Sequence, residues 1–136
     1  MFTPQKGFSL IELIITLSII GLLTSLMVPN FSTLQHKAKQ SVVKNHCHTL
    51  QLALESYYLS QGHYPEGTQV SLYELAQTLI SAKQLNTIPK NPFTHAPYAR
   101  NEPSGAIHYS LAPDSQTYSL TAYGAQNQEI IYESTD

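Results

Sequence analysis

The chain has one cysteine, Cys47, so no internal disulfide can form and stability must come from packing. A lone thiol is compatible with an exported protein and does not argue for one. Basic residues are also scarce. Outside Lys37, Lys39 and Lys44 there is no basic stripe, and the net charge is only −2. That argues against binding nucleic acid or anionic lipid by counterion release. The three lysines fall on a segment of helical periodicity, where a solvated face accounts for them. Catalytic signatures are missing as well: there is no nucleophile elbow, no paired-carboxylate motif and no glycine-rich loop for phosphate. The chain does not read as an enzyme. Six histidines invite a metal, but neither His-x3-His nor Cys-x2-Cys spacing occurs. His46, Cys47 and His48 are one and two positions apart, and on a helix such neighbours point in different directions. The nine tyrosines could form a binding face, although most fall at helix or strand positions where core packing uses them.

What is present is sharply divided along the chain. Residues 8 to 28 hold a single charge, Glu12, among residues that are otherwise apolar or small; residues 31 to 136 hold nearly every other charge and most of the tyrosines. At about 1.5 Å per residue, residues 8 to 28 as helix cover roughly 31 Å, close to the hydrocarbon thickness of a bilayer. Thr16, Ser18, Thr24 and Ser25 do not spoil such a span, because hydroxyls can bond back to the preceding turn. Lys6 before the run, with no positive charge inside it, keeps the N-terminus cytoplasmic and exports the remainder. An ordinary secretory signal would have a shorter apolar core and a small-x-small cleavage site, which Met27-Val28-Pro29-Asn30 does not supply. A plain anchor fits the length but leaves Glu12 unexplained. A carboxylate at the centre of a bilayer costs about 2.5–3.5 kcal/mol on insertion scales, and less near an end.

The local spacing offers Glu12 a partner. Gly7 ahead of Phe8 is a small, flexible residue before a bulky apolar one, a suitable cut site for a protease on the cytoplasmic face. Cleavage there would create a cationic amine on Phe8, four residues before Glu12. A cation at a helix N-terminus opposes the helix dipole, whereas a carboxylate in the first turns favours it. Glu12 can neutralise its own Phe8 amine at i, i+4, or reach the amine of a neighbouring subunit. The second option makes the buried charge a device for setting axial register.

Lys6-Gly7-Phe8-Ser9-Leu10-Ile11-Glu12, the apolar run and Val28-Pro29-Asn30 together resemble the class III signal of type IV pilins and type II secretion pseudopilins. The resemblance implies cleavage between Gly7 and Phe8 by a prepilin peptidase, methylation of the Phe8 amine, and pairing of Glu12 with a neighbour's N-terminus. It also implies that Gly21 to Pro29 loosens on assembly. Pro29 by itself predicts a kink, because it lacks a donor and would clash with the Ser25 carbonyl.

Beyond Pro29 the spacing predicts continued helix, with Phe31, Leu34, Ala38, Val42, Leu50, Leu54 and Tyr57 as its apolar stripe. Gly62 is placed as the residue past its end, and Pro65 prevents continuation. Tyr57-Tyr58 to Gly62-His63-Tyr64-Pro65 resembles the end of the first helix in major pseudopilins. Ser71-Leu72-Tyr73-Glu74 is a capping box opening a helix that should end near Lys83, with Leu72, Leu75, Ala76, Leu79 and Ile80 on one face. Asn91-Pro92-Phe93-Thr94-His95-Ala96-Pro97-Tyr98 resembles a Pro-aromatic-Gly-x-Pro-Tyr loop of pseudopilins, with Thr94 in place of the usual glycine. Ile107 to Ala112 and Thr117 to Tyr123 predict strands flanking a Pro113-Asp114-Ser115-Gln116 turn, and Glu129 to Glu133 a third. Calcium in a C-terminal acidic loop is what the resemblance implies for major pseudopilins. The oxygen donors here, Asp114, Asn127 and Glu129, are weak candidates for six or more ligands.

The fold expected is α+β and pilin-like: a long helix, transmembrane in its lower half and kinked at Pro29, packed on a small antiparallel sheet. Its organisation is a leader over 1–7, a transmembrane and assembly helix over 8–30, and a periplasmic or extracellular head over 31–136 that includes the upper half of the helix. The function expected is the structural subunit of a type II secretion pseudopilus, with Phe8, Glu12, Gly21 and Pro29 serving assembly. Its implied partners are further copies of itself, a prepilin peptidase, an inner-membrane assembly platform and minor pilins, with no nucleic acid unless the filament is a competence pilus. The alternatives are a surface pilin for adhesion, motility or DNA uptake, and a membrane-tethered binding module.

Overall fold

The structure is a computed structural model that describes residues 7–135, and of residues 27–30 the backbone alone. Six elements follow in order: α1 (Leu10–Gln61), β1 (Val70–Ser71), α2 (Leu72–Ser81), β2 (Ile107–Leu111), β3 (Tyr118–Tyr123) and β4 (Ile130–Thr135). The chain forms two compact units, Met1–Gln35 and His36–Asp136. Helix α1 runs through 52 residues and belongs to both. The kink expected at Pro29 lies outside the described side chains; the backbone there is helical.

In the first unit, Leu10 to Leu26 expose their apolar side chains all round the helix. The hydroxyls within it do bond back. Thr16 donates to the Glu12 carbonyl at 2.6 Å, Ser18 to Ile14 at 2.8 Å, Thr24 to Ile20 at 2.7 Å and Ser25 to Leu22 at 2.7 Å. Every polar side chain of the run from Thr16 to Ser25 is therefore satisfied within its own helix, as an apolar medium requires. Among the described residues no single helix is long and apolar enough to cross a membrane; Leu10–Leu26 and Phe31–Gln61 meet that test together as a broken pair, by length and composition.

The second unit is built on a four-stranded antiparallel meander ordered β1-β2-β3-β4. Alternation decides its faces. In β3, Tyr118, Leu120 and Ala122 are buried while Ser119, Thr121 and Tyr123 are half-exposed; in β2, Ile107 and Tyr109 point inward. These close over Leu72, Leu75, Ala76 and Leu79 of α2 and over one face of α1. The two-residue β1, which carried no alternation to read, pairs Val70 with Tyr109 and Ser71 with His108.

The α1 face in the core differs from the expected stripe. It consists of Val43, Cys47, Leu50, Ala53 and Leu54, with Tyr57 half-buried. Val42 is 41 % exposed, Ala38 is exposed, and Phe31 and Leu34 are each 62 % exposed. The reason is angular. At 3.6 residues per turn, Val43 lies within about 20° of Leu50, whereas Val42 is about 80° away. The missing member of the stripe was Cys47, whose fully buried thiol packs as a small apolar group.

The helix ends in the head follow their local chemistry. Gly62 takes φ +81 and its N–H returns to the Tyr58 carbonyl at 2.7 Å, ending α1. Ser71 and Glu74 form the expected capping box at the start of α2. That helix stops at Ser81 rather than at Lys83. Lys83 adopts φ +61, its N–H bonds to Ile80, and the Gln84 N–H bonds to Leu79 at 2.8 Å, a Schellman ending without glycine.

Candidate functional site

Gly7, Phe8 and Ser9 are exposed, non-helical residues immediately ahead of α1. Among the described residues, no atom beyond its chain neighbours lies within 4 Å of where a Gly7 side chain would begin. Phe8 is 86 % exposed. Ser9 is the residue before the helix, and Glu12 stands in the first turn. The Ser9 N–H donates to Glu12 Oε2 at 2.8 Å. This is half of a capping box, in which the third helical residue reaches back to an otherwise unpaired donor. The spacing Ser9-x-x-Glu12 is the same as Ser71-x-x-Glu74, so the signal for this cap is present in the sequence.

The arrangement has a chemical consequence. The carboxylate is held one peptide unit from the Phe8 nitrogen, in the positive field of the helix N-terminus. A scission before Phe8 would convert that nitrogen into an amine beside an acid already in place. Glu12 remains exposed in this chain and so remains open to a partner outside it. Gly21 sits within helix, and among the described residues nothing beyond that helix's nearby backbone lies within 4 Å of an added side chain. Pro29 lies outside the described side chains.

The proposed oxygen donors for a cation do not converge. Asp114 precedes β3 and Asn127 follows it, so about 20 Å of strand separates them. Asp114 is occupied by its own turn: its Oδ1 accepts the Gln116 N–H at 3.0 Å and the Thr117 N–H at 3.2 Å. Those bonds, the Gln116 N–H first, hold its carboxyl below the usual range. Asn127 Oδ1 accepts the Ala106 N–H at 3.0 Å, and Glu129 Oε2 faces the Gln40 amide at 3.4 Å. These residues do not fit a calcium site. Among the described residues, no three His, Cys, Asp or Glu side chains cluster as metal ligands would. Burial pushes the Cys47 thiol up to about 12, the opposite of a reactive or metal-binding thiolate.

An open cleft of about 430 Å³ lies over Leu72, Tyr98, Arg100, Glu102 and His108. Its polar groups are committed only in part, since the Tyr98 hydroxyl and His108 Nδ1 have no hydrogen-bond partner among the described residues. Arg100 pairs with Glu74 at 3.1 Å, and both Glu102 carboxylate oxygens accept N–H donors of the protein.

Two families match successive parts of the chain. Residues 3–28 match the prokaryotic N-terminal methylation motif, and residues 30–133 match type II secretion system protein G. A type II secretion system core protein G from Klebsiella pneumoniae is 32 % identical over 130 residues, covering 94 % of this chain and 82 % of that one. The protein of the same description from Pseudomonas aeruginosa is 31 % identical over 129 residues, covering 92 % and 87 %. A type IV major pilin protein from Myxococcus xanthus is 38 % identical over 66 residues, 48 % of this chain and 30 % of that one. No solved structure shows a significant match.

Proposed function

Because the chain belongs to the type II secretion system protein G family, we propose that it is the structural subunit of a pseudopilus, cut between Gly7 and Phe8 and polymerised through its N-terminal helix. The observation that carries this reading is the first unit itself. Leu10 to Leu26 present apolar side chains on every face, with one carboxylate folded back onto the N-terminal turn. A helix apolar all round needs a bilayer or other helices around it. A filament supplies both in turn: the membrane before assembly, neighbouring helices after it. The family is a structural one.

In this reading the precursor sits in the inner membrane of a bacterium with its N-terminus in the cytoplasm and its head outside. A prepilin peptidase removes residues 1–7 and the Phe8 amine is methylated. Glu12 then meets the Phe8 amine of the adjoining subunit, which sets the rise between copies. Within the apolar surroundings of packed helices an unpaired Glu12 would be costly, so the pairing selects one register. The assembly platform and minor pilins are the further partners that this reading requires.

The similarity to the type IV major pilin covers 48 % of this chain, whereas the protein G family match runs over residues 30–133. That difference favours the secretion filament. Replacing Glu12 by Ala tests the assembly role. The variant is expected to insert and be processed at the wild-type level yet to be lost from sheared filaments by at least tenfold. Wild-type incorporation of Glu12→Ala would make the helix a mere tether.

A further inference from the structure

Three segments meet at one end of the sheet: the loop 88–98, the connection 99–106 and the β3–β4 turn 124–129. Asn91, in the first, is fully buried. Its amide donates to Glu102 Oε2 at 2.9 Å and to the Ser104 carbonyl at 2.7 Å, while its Oδ1 accepts the Phe93 N–H at 2.9 Å. Glu102 Oε1 accepts the Ala99 N–H at 2.5 Å. Asn127, in the third segment, donates to the Glu102 carbonyl at 2.6 Å and accepts from the Ala106 N–H. The backbone closes the same junction, with the Gly105 N–H on the Gly124 carbonyl and the Tyr123 N–H on Ala106, both at 2.8 Å. Gly105 is obligatory here: it takes φ +65, and a Cβ would stand 2.6 Å from Phe93 Cδ2.

A calcium ion needs six to eight oxygens free to face it. At this junction the side-chain oxygens of Asn91, Glu102 and Asn127 all accept N–H donors, and the two amide NH2 groups point at Glu102. Two N–H donors occupy the space around the one carboxylate where a cation would require lone pairs. We propose that Asn91, Glu102 and Asn127 close this end of the head by direct hydrogen bonds, in place of the calcium that the family resemblance implies, so that the head folds independently of the ion. Asn127 also takes φ +53, a backbone conformation that asparagine tolerates better than most residues, so the turn presents its amide to Glu102 at little cost.

The test is thermal unfolding of the full-length chain in detergent, followed by circular dichroism in calcium at about 1–10 mM and in excess EGTA. The wild-type midpoints are expected to coincide. Asn127→Ala and Glu102→Gln are each expected to lower the midpoint by roughly 5 °C or more, equally in both conditions, because each leaves buried donors or acceptors unpaired. Glu102→Gln keeps the side chain's shape and serves if Asn127→Ala does not fold. A wild-type midpoint that calcium raises by about 5 °C and EGTA restores would overturn the proposal. So would variants that melt with the wild type, or that lose stability only when calcium is present.

Discussion

Glu12 is the one charged side chain between residues 8 and 28, and its bond to the Ser9 N–H gives that charge a defined position before any partner arrives. The sequence made Glu12 conspicuous because charge in an apolar run is costly; what it did not disclose is that Ser9 already holds it. At the opposite extreme of exposure stands Cys47, fully buried, its thiol pushed up to about 12 chiefly by desolvation. It should resist iodoacetamide at neutral pH in the folded chain and react fully once the head is denatured, which mass spectrometry of the alkylated protein checks. Rapid labelling of the native chain would contradict its placement. His46 adds a pH dependence. Burial lowers its pKa from 6.5, so the unfolded chain binds the extra proton first. Its contribution is complete above about pH 6.5 and is lost as pH falls from there toward the folded value. Unfolding midpoints should therefore drop between pH 7 and 5.5 more for the wild type than for His46→Asn.

At the scale of elements, the capping box at the start of α2 and the buried face of α1 give a graded series. Ser71→Ala removes the acceptor of the Glu74 N–H and should cost about 1 kcal/mol. Val43→Ala deletes fully buried methyl groups and should cost roughly 2 kcal/mol, while Val42→Ala, one position along, should cost less than about 0.5 kcal/mol. Denaturant titration of the full-length chain orders the three, and equal losses at Val42 and Val43 would return the core to the face first read from the sequence. That misreading shows which signals were legible. Capping box, Gly62 stop and strand alternation are local patterns with a local cause, and Ser71, Gly62 and Tyr118-x-Leu120-x-Ala122 stand where those patterns put them. The observed stripe differs because Cys47 packs as an apolar residue, and because Phe31 and Leu34 are exposed. The two residues of β1 and the Asn91–Glu102–Asn127 junction could not be read in advance, since each exists only where segments distant in sequence converge.

The whole molecule combines a head that has its own apolar core with a helix whose apolar side chains stand exposed. The second unit has its own core, which includes Val43, Leu50, Leu75, Tyr109 and Leu120. The first unit exposes Phe8, Leu10, Ile11, Leu17, Leu22 and Leu26 at more than half of their surface, a state that water does not tolerate along so many residues. This asymmetry is what a subunit stored in a membrane and withdrawn into a filament requires, and removal of residues 1–7 is the step that would separate the two states. The most direct measurement is the N-terminus and intact mass of the membrane-extracted protein, produced with and without a prepilin peptidase. The account predicts a chain that begins at Phe8 only when the peptidase is present, with the added mass of one methyl group where the methylating activity accompanies it. A chain that keeps Met1 in the presence of the peptidase, or that begins near residue 30, would contradict it.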